Sequence, residues 1–153
     1  MKPAQPQSPT SFEPGLEERA FVCLQRAADR LAGKMAEWLK PHGLSPTQYN
    51  ALRILRGAGA DGLPCSEVGA RMINRDPDIT RLVDRLEKRG LVTRSRGVKD
   101  RRVVRASITP AGLQLLKGLD RPVREFVRGM LGHLGVEGLQ ELIQLLEQVE
   151  PRD

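Results

Sequence analysis

A chain of 153 residues is long enough for one domain, or one domain with long extensions, and for a core of its own. Charged residues at 29% and hydrophobic ones at 39% exclude wholesale disorder, and no window approaches the ~18 uninterrupted apolar residues of a membrane-spanning helix. The net charge of +6, from 25 Lys plus Arg against 19 Asp plus Glu, makes a polyanionic partner plausible without choosing between nucleic acid and a membrane surface.

In chain order, MKPAQPQSPTSFEPG carries four prolines and no apolar run like that of a secretory leader; residues 1–15 are expected as a flexible tail on a cytoplasmic protein. Leu16, Ala20, Leu24, Ala27, Leu31, Met35 and Trp38 recur at helical spacing and predict a helix ending before Pro41. Ser45 as N-cap and Pro46 as first residue open a second helix, with Tyr49, Leu52 and Leu55 on one face, up to Gly57. Gly57 to Pro64 is rich in turn formers and reads as a loop. SEVGARMI predicts a short helix, in which Glu67 faces Arg71 and Val68 faces Met72 one turn on.

The next helix lies in DPDITRLVDRLEKRG, with Asp76 as cap, Pro77 in the first position and Asp78 in the first turn against the positive end of the dipole. Ile79, Leu82, Val83 and Leu86 form its inward face; Asp78, Thr80, Arg81, Asp84, Arg85 and Lys88 face outward or sideways, and Gly90 ends it. LVTRSR and VVRASI predict two strands joined by the basic tip GVKDRR, with Gly97 in the turn. Thr109 and Pro110 start another helix, whose apolar path runs from Leu113 to Leu134 past a bend near Pro122. Leu139, Leu142, Ile143, Leu146 and Val149 make a last amphipathic helix before Pro151.

The positive charge is concentrated. From Leu91 to Arg105 there are six bases (Arg94, Arg96, Lys99, Arg101, Arg102, Arg105) and one acid (Asp100), a surplus of +5 within a total of +6. Such a hairpin repels itself unless a polyanion neutralises it. The fold class is therefore mainly α with a small β-hairpin wing, a winged helix-turn-helix flanked by long helices.

LSPTQYNALRIL, SEVGARM, DITRLVDRLEKRGLVTR and KDRR followed by SITPAG occur in the order and at about the spacing of the MarR family (multiple antibiotic resistance regulators), which the chain resembles from about Leu16 to Val149. That resemblance implies a helical homodimer that binds double-stranded DNA at a pseudo-palindromic operator and regulates transcription, as a repressor in the family's commoner mode. It divides the chain into an N-terminal dimerisation helix (16–44), a DNA-binding lobe (45–109) and C-terminal dimerisation helices (110–153). The residues agree, since the terminal helices carry more apolar stripe than a thin middle lobe covers, although packing within one chain is the alternative.

A helix entering the major groove by its N-terminal end selects sequence by placed donors and acceptors rather than by net charge. Asp78 can accept from cytosine N4, Thr80 can meet a thymine methyl or a phosphate, and Arg81 or Arg85 can donate to guanine or the backbone. Asp76 is read as a pure cap, and Arg81, Asp84 and Arg85 can instead bridge to neighbouring helices. In the wing, the resemblance places Arg102 in the minor groove, with Asp100 orienting an arginine fork; Lys99 and Arg101 would take phosphates, and Arg96 is counted with them.

Many relatives bind small aromatic or phenolic effectors between the dimer helices and the DNA lobes. By that resemblance Trp38, His42 and Tyr49 are candidate lining residues, against core packing for Trp38 and Tyr49 and simple exposure for His42. Some relatives sense oxidants through a thiol in the first helix, which nominates Cys23, with Cys65 as a second candidate; an inert thiol is the alternative reading. Cys23 and Cys65 lack metal-type spacing from each other and from His42 and His133, so no metal and no cofactor is expected. No phosphate loop, nucleophile elbow or zinc-protease pair is present, so no enzyme is expected. The rivals are a redox-sensing regulator of the same fold and a protein-interaction dimer that lost DNA binding; membrane attachment would need large apolar residues beside the basic tip.

Overall fold

The computed structural model describes residues 15–74, 78–97, 100 and 102–149. Helix α1 (Leu16–Leu39) ends where Pro41 forces it to, in a single 3-10 turn at Lys40–His42 closed by Gly43 in the left-handed region at φ 68°. Helix α2 (Pro46–Ala58) opens on a full capping box. The Ser45 hydroxyl accepts from the Gln48 amide at 3.1 Å, and the Gln48 side chain accepts from the Ser45 amide at 3.1 Å. Two orphan donors are satisfied at once, and the helix runs one residue past the predicted Gly57 to a cap at Gly59.

The segment expected to be all loop contains a short strand, β1 (Leu63–Pro64), which leads directly into α3 (Cys65–Arg71). Helix α4 (Ile79–Lys88) follows, then strands β2 (Val92–Arg96) and β3 (Val104–Ile108), as the two apolar runs around the basic tip predict. The three strands are antiparallel in the order β1-β3-β2; Val92 to Arg96 pair with Ile108 to Val104, and Leu63 pairs with Ala106 on the other side. Periodicity could not reveal a two-residue strand. Its signal is Gly62, at φ 61°, where a Cβ would stand 2.1 Å from the Ala106 carbonyl oxygen, so the chain approaches β3 closely enough to pair only because Gly62 has no side chain.

Helix α5 (Pro110–Leu131) is capped by Thr109, whose hydroxyl accepts the Gly112 amide at 3.1 Å and donates to the Gly90 carbonyl at 2.7 Å. As the continuous apolar path predicts, α5 stays helical past Pro122 to Leu131, and a 3-10 turn at Gly132–Leu134 leads to α6 (Gly135–Val149).

The core lies in the middle of the chain. Leu52, Leu55, Val68, Val83, Leu86, Val92 and Leu116 are fully buried and draw α2, α3, α4, β2 and α5 together. Burying each such side chain contributes about 1.5–3 kcal/mol before the entropy of ordering is subtracted. The ends of the chain differ from this: α1 buries only Leu39, α6 buries no residue, and Phe21 (62% exposed) and Val136 (73%) stand open.

Candidate nucleic-acid interface

Helix α4 is attached on one side and presented on the other. Leu82, Val83 and Leu86 are buried and Ile79 packs against the core, as the spacing predicts. Thr80, Arg81 and Arg85 are exposed on the opposite face. The start of the helix departs from the expected cap. Asp78, expected inside the first turn, is itself the N-cap: its carboxylate accepts the Arg81 amide at 3.1 Å and pairs with the Arg81 guanidinium at 3.0 Å. A carboxylate there meets the positive end of the dipole and the orphan amides together. Asp76 and Pro77, the expected cap and first residue, lie outside the described residues.

At its other end α4 closes by a Schellman turn. The Gly90 amide donates to Glu87 at 2.8 Å and the Leu91 amide to Leu86 at 3.0 Å, with Gly90 at φ 70° and Leu91 buried. This turn aims Glu87 at β2. Its carboxylate accepts the Arg94 amide at 3.0 Å and Arg94 Nε at 2.7 Å, while Arg94 Nη2 donates to Asp84 at 3.0 Å and Lys88 pairs with Asp84 at 2.9 Å. Asp84 thus bridges from the presented helix to the wing strand, rather than to a neighbouring helix as expected. The Lys88 and Arg94 bonds hold the Asp84 carboxyl below its ordinary pKa, the Arg94 bonds hold Glu87 below its own, and Glu87 with Asp84 raises that of Arg94.

This clasp revises the reading of the wing's charge. Arg94 is spent on Glu87 and Asp84, and Arg105 on the carbonyls of Asp61 (3.2 Å) and Gly62 (3.0 Å). Arg96 and Arg102 are exposed and, like Arg85, have side chains without a protein partner among the described residues. Lys99 and Arg101 lie outside those residues. Asp100, expected to orient an arginine fork, accepts the backbone amide of Arg102 at 2.9 Å and so shapes the turn that carries Arg102, while Arg101 lies outside the described residues. Between the start of α4 and the capped start of α2 is a cleft of about 180 Å³, lined by Ser45, Thr47, Gln48, Asp78, Arg81, Leu82 and Arg85. Sequence reasoning missed the contribution of α2, for which the Ser45-Pro46 cap was the available signal.

The acid behaviour of the clasp follows from its sign. Both carboxylates have folded-state pKa values below ordinary, so their contribution is complete above the unfolded-chain value of about 4 to 4.5 and is lost as pH falls below it through the folded-state values. Glu87→Gln is therefore expected to be less stable than wild type at pH 7, with the gap closing in acid as pH falls below the unfolded-chain value of about 4.5. Urea unfolding followed by circular dichroism at pH 7 and in acid measures it, and a gap independent of pH would remove the clasp from the explanation.

Of the other candidate residues, Tyr49 is buried in the lobe core. Trp38 is half-buried and stacks on Phe126 (centroids 5.2 Å apart) and, tilted, against the exposed His42 (4.8 Å). An open apolar cleft of about 640 Å³ is lined by Trp38 and Phe126 together with Asp29, Arg30, Lys34 and Glu37; His42 and Tyr49 do not line it. Cys23 is exposed, whereas burial pushes the half-buried Cys65 thiol above its ordinary pKa, against thiolate formation. Among the described residues no three His, Cys, Asp or Glu side chains gather into a metal-binding group, and no helix is long and apolar enough to cross a membrane.

A half-exposed polar helix beside a basic antiparallel hairpin, both fastened to one small core, defines a winged helix-turn-helix protein. Residues 44–104 match the model of the MarR family. The chain is 42% identical to a MarR transcription factor from Planctomyces limnophilus, covering 90% of this chain and 99% of that one at a TM-score of 0.69. It is also 30% identical over 141 residues to the transcriptional repressor IacR of Pseudomonas putida, spanning 92% of this chain and 83% of that protein. With the transcriptional regulator MhqR of Bacillus subtilis it shares 29% over 131 residues, 86% of this chain and 89% of that one. The chain belongs to the MarR family of DNA-binding transcriptional regulators; its fold and relatives are those of regulators, not of enzymes.

Proposed function

We propose that the protein is a cytoplasmic, homodimeric repressor that binds a pseudo-palindromic operator in double-stranded DNA and is released by a small aromatic or phenolic effector. The observation that carries this reading is how its surface divides: uncovered apolar side chains on α1 and α6, and partnerless arginines on α4 and the wing. A second copy covering the apolar helices removes that surface from water and sets two lobes side by side. In that arrangement α1, the end of α5 beyond Pro122 and α6 form the dimer, and the lobe built on 45–109 carries the DNA contacts. Thr80, Arg81 and Arg85 then meet base edges and phosphates of the major groove, while Arg96 and Arg102 lie along the flanking backbone and minor groove. The name of IacR as a repressor favours that sign of regulation. The Trp38–Phe126 cleft, with an aromatic wall and with Arg30 and Lys34 balanced by Asp29 and Glu37, suits a small aromatic or phenolic molecule.

Selection of bound sequences from random duplexes, with sedimentation of the free and bound protein, tests this. The expected outcome is an inverted repeat whose half-sites lie about 34–36 Å apart, bound by one dimer. A monomer, or a selection that enriches nothing, overturns it.

A further inference from the structure

Helix α5 has two mechanical halves. Up to Leu119 it belongs to the DNA-binding lobe, with Gly112, Leu116 and Leu119 buried in the core; beyond Pro122 no residue is fully buried, Val123 packs partly against that core, and Phe126 lies against Trp38 of α1. The junction is weak as backbone. Pro122 has no amide hydrogen, so the carbonyl of Gly118 one turn earlier loses its helical bond, and Gly118 itself lends the helix little stiffness. Helices kink at such places.

Between these two residues stands Asp120, and it is held from outside the helix. Both of its carboxylate oxygens accept from Arg56 Nη1, at 2.9 and 3.0 Å. Arg56 lies in the last turn of α2, a helix anchored in the lobe by Leu52 and Leu55, and the pair is about two-thirds buried at side-chain exposures of 33% and 36%. On its other side, Arg124 Nε donates to the Asp120 carbonyl at 3.3 Å and so spans Pro122. One ion pair joining residues 64 apart in sequence thus fastens the lobe to α5 at the point where α5 bends most easily.

We propose that Arg56 and Asp120 are positioning residues: their ion pair sets the angle between each DNA-binding lobe and the dimer-forming helices, and hence the separation of the two presented α4 helices. The proposal rests on the homodimeric reading above. A small rotation at Gly118–Pro122 is magnified along the lobe, so the pair selects which spacing of half-sites is bound, although neither residue belongs to the DNA-facing surface. Breaking it leaves the lobe intact, because the core does not include either side chain, and frees the angle.

The test uses the full-length protein on the selected operator and on versions with the central spacer one base pair longer or shorter. Sedimentation and thermal melting of every variant establish dimer and fold. Arg56→Gln and Asp120→Asn are expected to bind the native spacer about tenfold more weakly while binding the altered spacers nearly as wild type does, so that spacer discrimination flattens. The charge-swapped pair, Arg56→Asp with Asp120→Arg, is expected to restore discrimination. Single variants that keep the wild-type ratio between spacers, whether at full or uniformly reduced affinity, overturn the proposal. So does a swapped pair that folds but stays flat, which would assign the effect to side-chain packing. A wild-type protein that is monomeric or binds no operator instead defeats the homodimeric reading itself.

Discussion

Arg102→Ala is expected to reduce operator affinity roughly 5- to 150-fold at physiological salt, the equivalent of about 1–3 kcal/mol, while dimer and melting temperature stay unchanged. The separation of the two effects follows from where the side chain stands. Arg102 is exposed at the wing tip, its guanidinium has no partner among the described residues, and its bond to Asp100 is made by the backbone amide, which alanine retains. Surface changes of this kind alter stability by no more than about 0.5 kcal/mol. Binding differs because a cation laid against phosphates or in a narrow minor groove displaces condensed counterions and gains from the local negative potential. The slope of log affinity against log salt should therefore fall by about 1. Anisotropy titrations over a salt series measure both quantities. Unchanged affinity and slope would take Arg102 out of the interface. Arg94→Ala makes an informative contrast, because that guanidinium is engaged with Glu87 and Asp84, and its removal should loosen the wing from α4 and lower stability with affinity.

The second large effect is on the fold. Leu86→Ala is expected to cost about 2–5 kcal/mol, by lost transfer free energy and by the cavity left behind. For a chain of this size that lowers the melting temperature by roughly 4–20 °C. Leu86 is fully buried, and its carbonyl accepts the Leu91 amide in the turn that ends α4, so it seats the helix and the start of the wing together. Operator binding should fall with stability, because Arg81 and Arg85 are carried by the same helix. Ile73, 83% exposed, is the control: Ile73→Ala removes a similar volume of apolar side chain and should leave the melting temperature nearly unchanged. Equal shifts for the two variants, read by calorimetry, would contradict the placement of the core.

Much of the fold was legible because its signals are local. A helix stripe repeats every three or four residues, and Ser45-Pro46, Thr109-Pro110 and Gly90 announce ends through dihedral preference and missing donors, so these elements stand where they were expected. The start of α4 was less secure. DPD offers two capping carboxylates within three residues, and local chemistry does not rank them; Asp78 is the one whose carboxylate meets the Arg81 amide. Strand β1 was missed because two residues have no period, and its existence depends on a partner strand more than forty positions away, approached over Gly62. The site divides in the same way. Its residue types and the basic surplus are visible in the sequence, but the count of six wing bases treats as equal what the fold separates into structural Arg94 and Arg105 and outward Arg96 and Arg102.

The sequence by itself therefore determined the order and kind of the elements, the inward face of α4 and the concentration of positive charge on one hairpin. Each of these is decided by residues within a few positions of one another, through backbone sterics, hydrophobic period and capping. Packing of the whole chain was needed to settle which charges are neutralised within it, that the Asp100 carboxylate takes the Arg102 amide in the turn, and that Arg56 meets Asp120 at the joint of α5. An ion pair depends on distances of about 3 Å between groups remote in the chain, and no local preference specifies such a distance until packing of the core has brought the elements together.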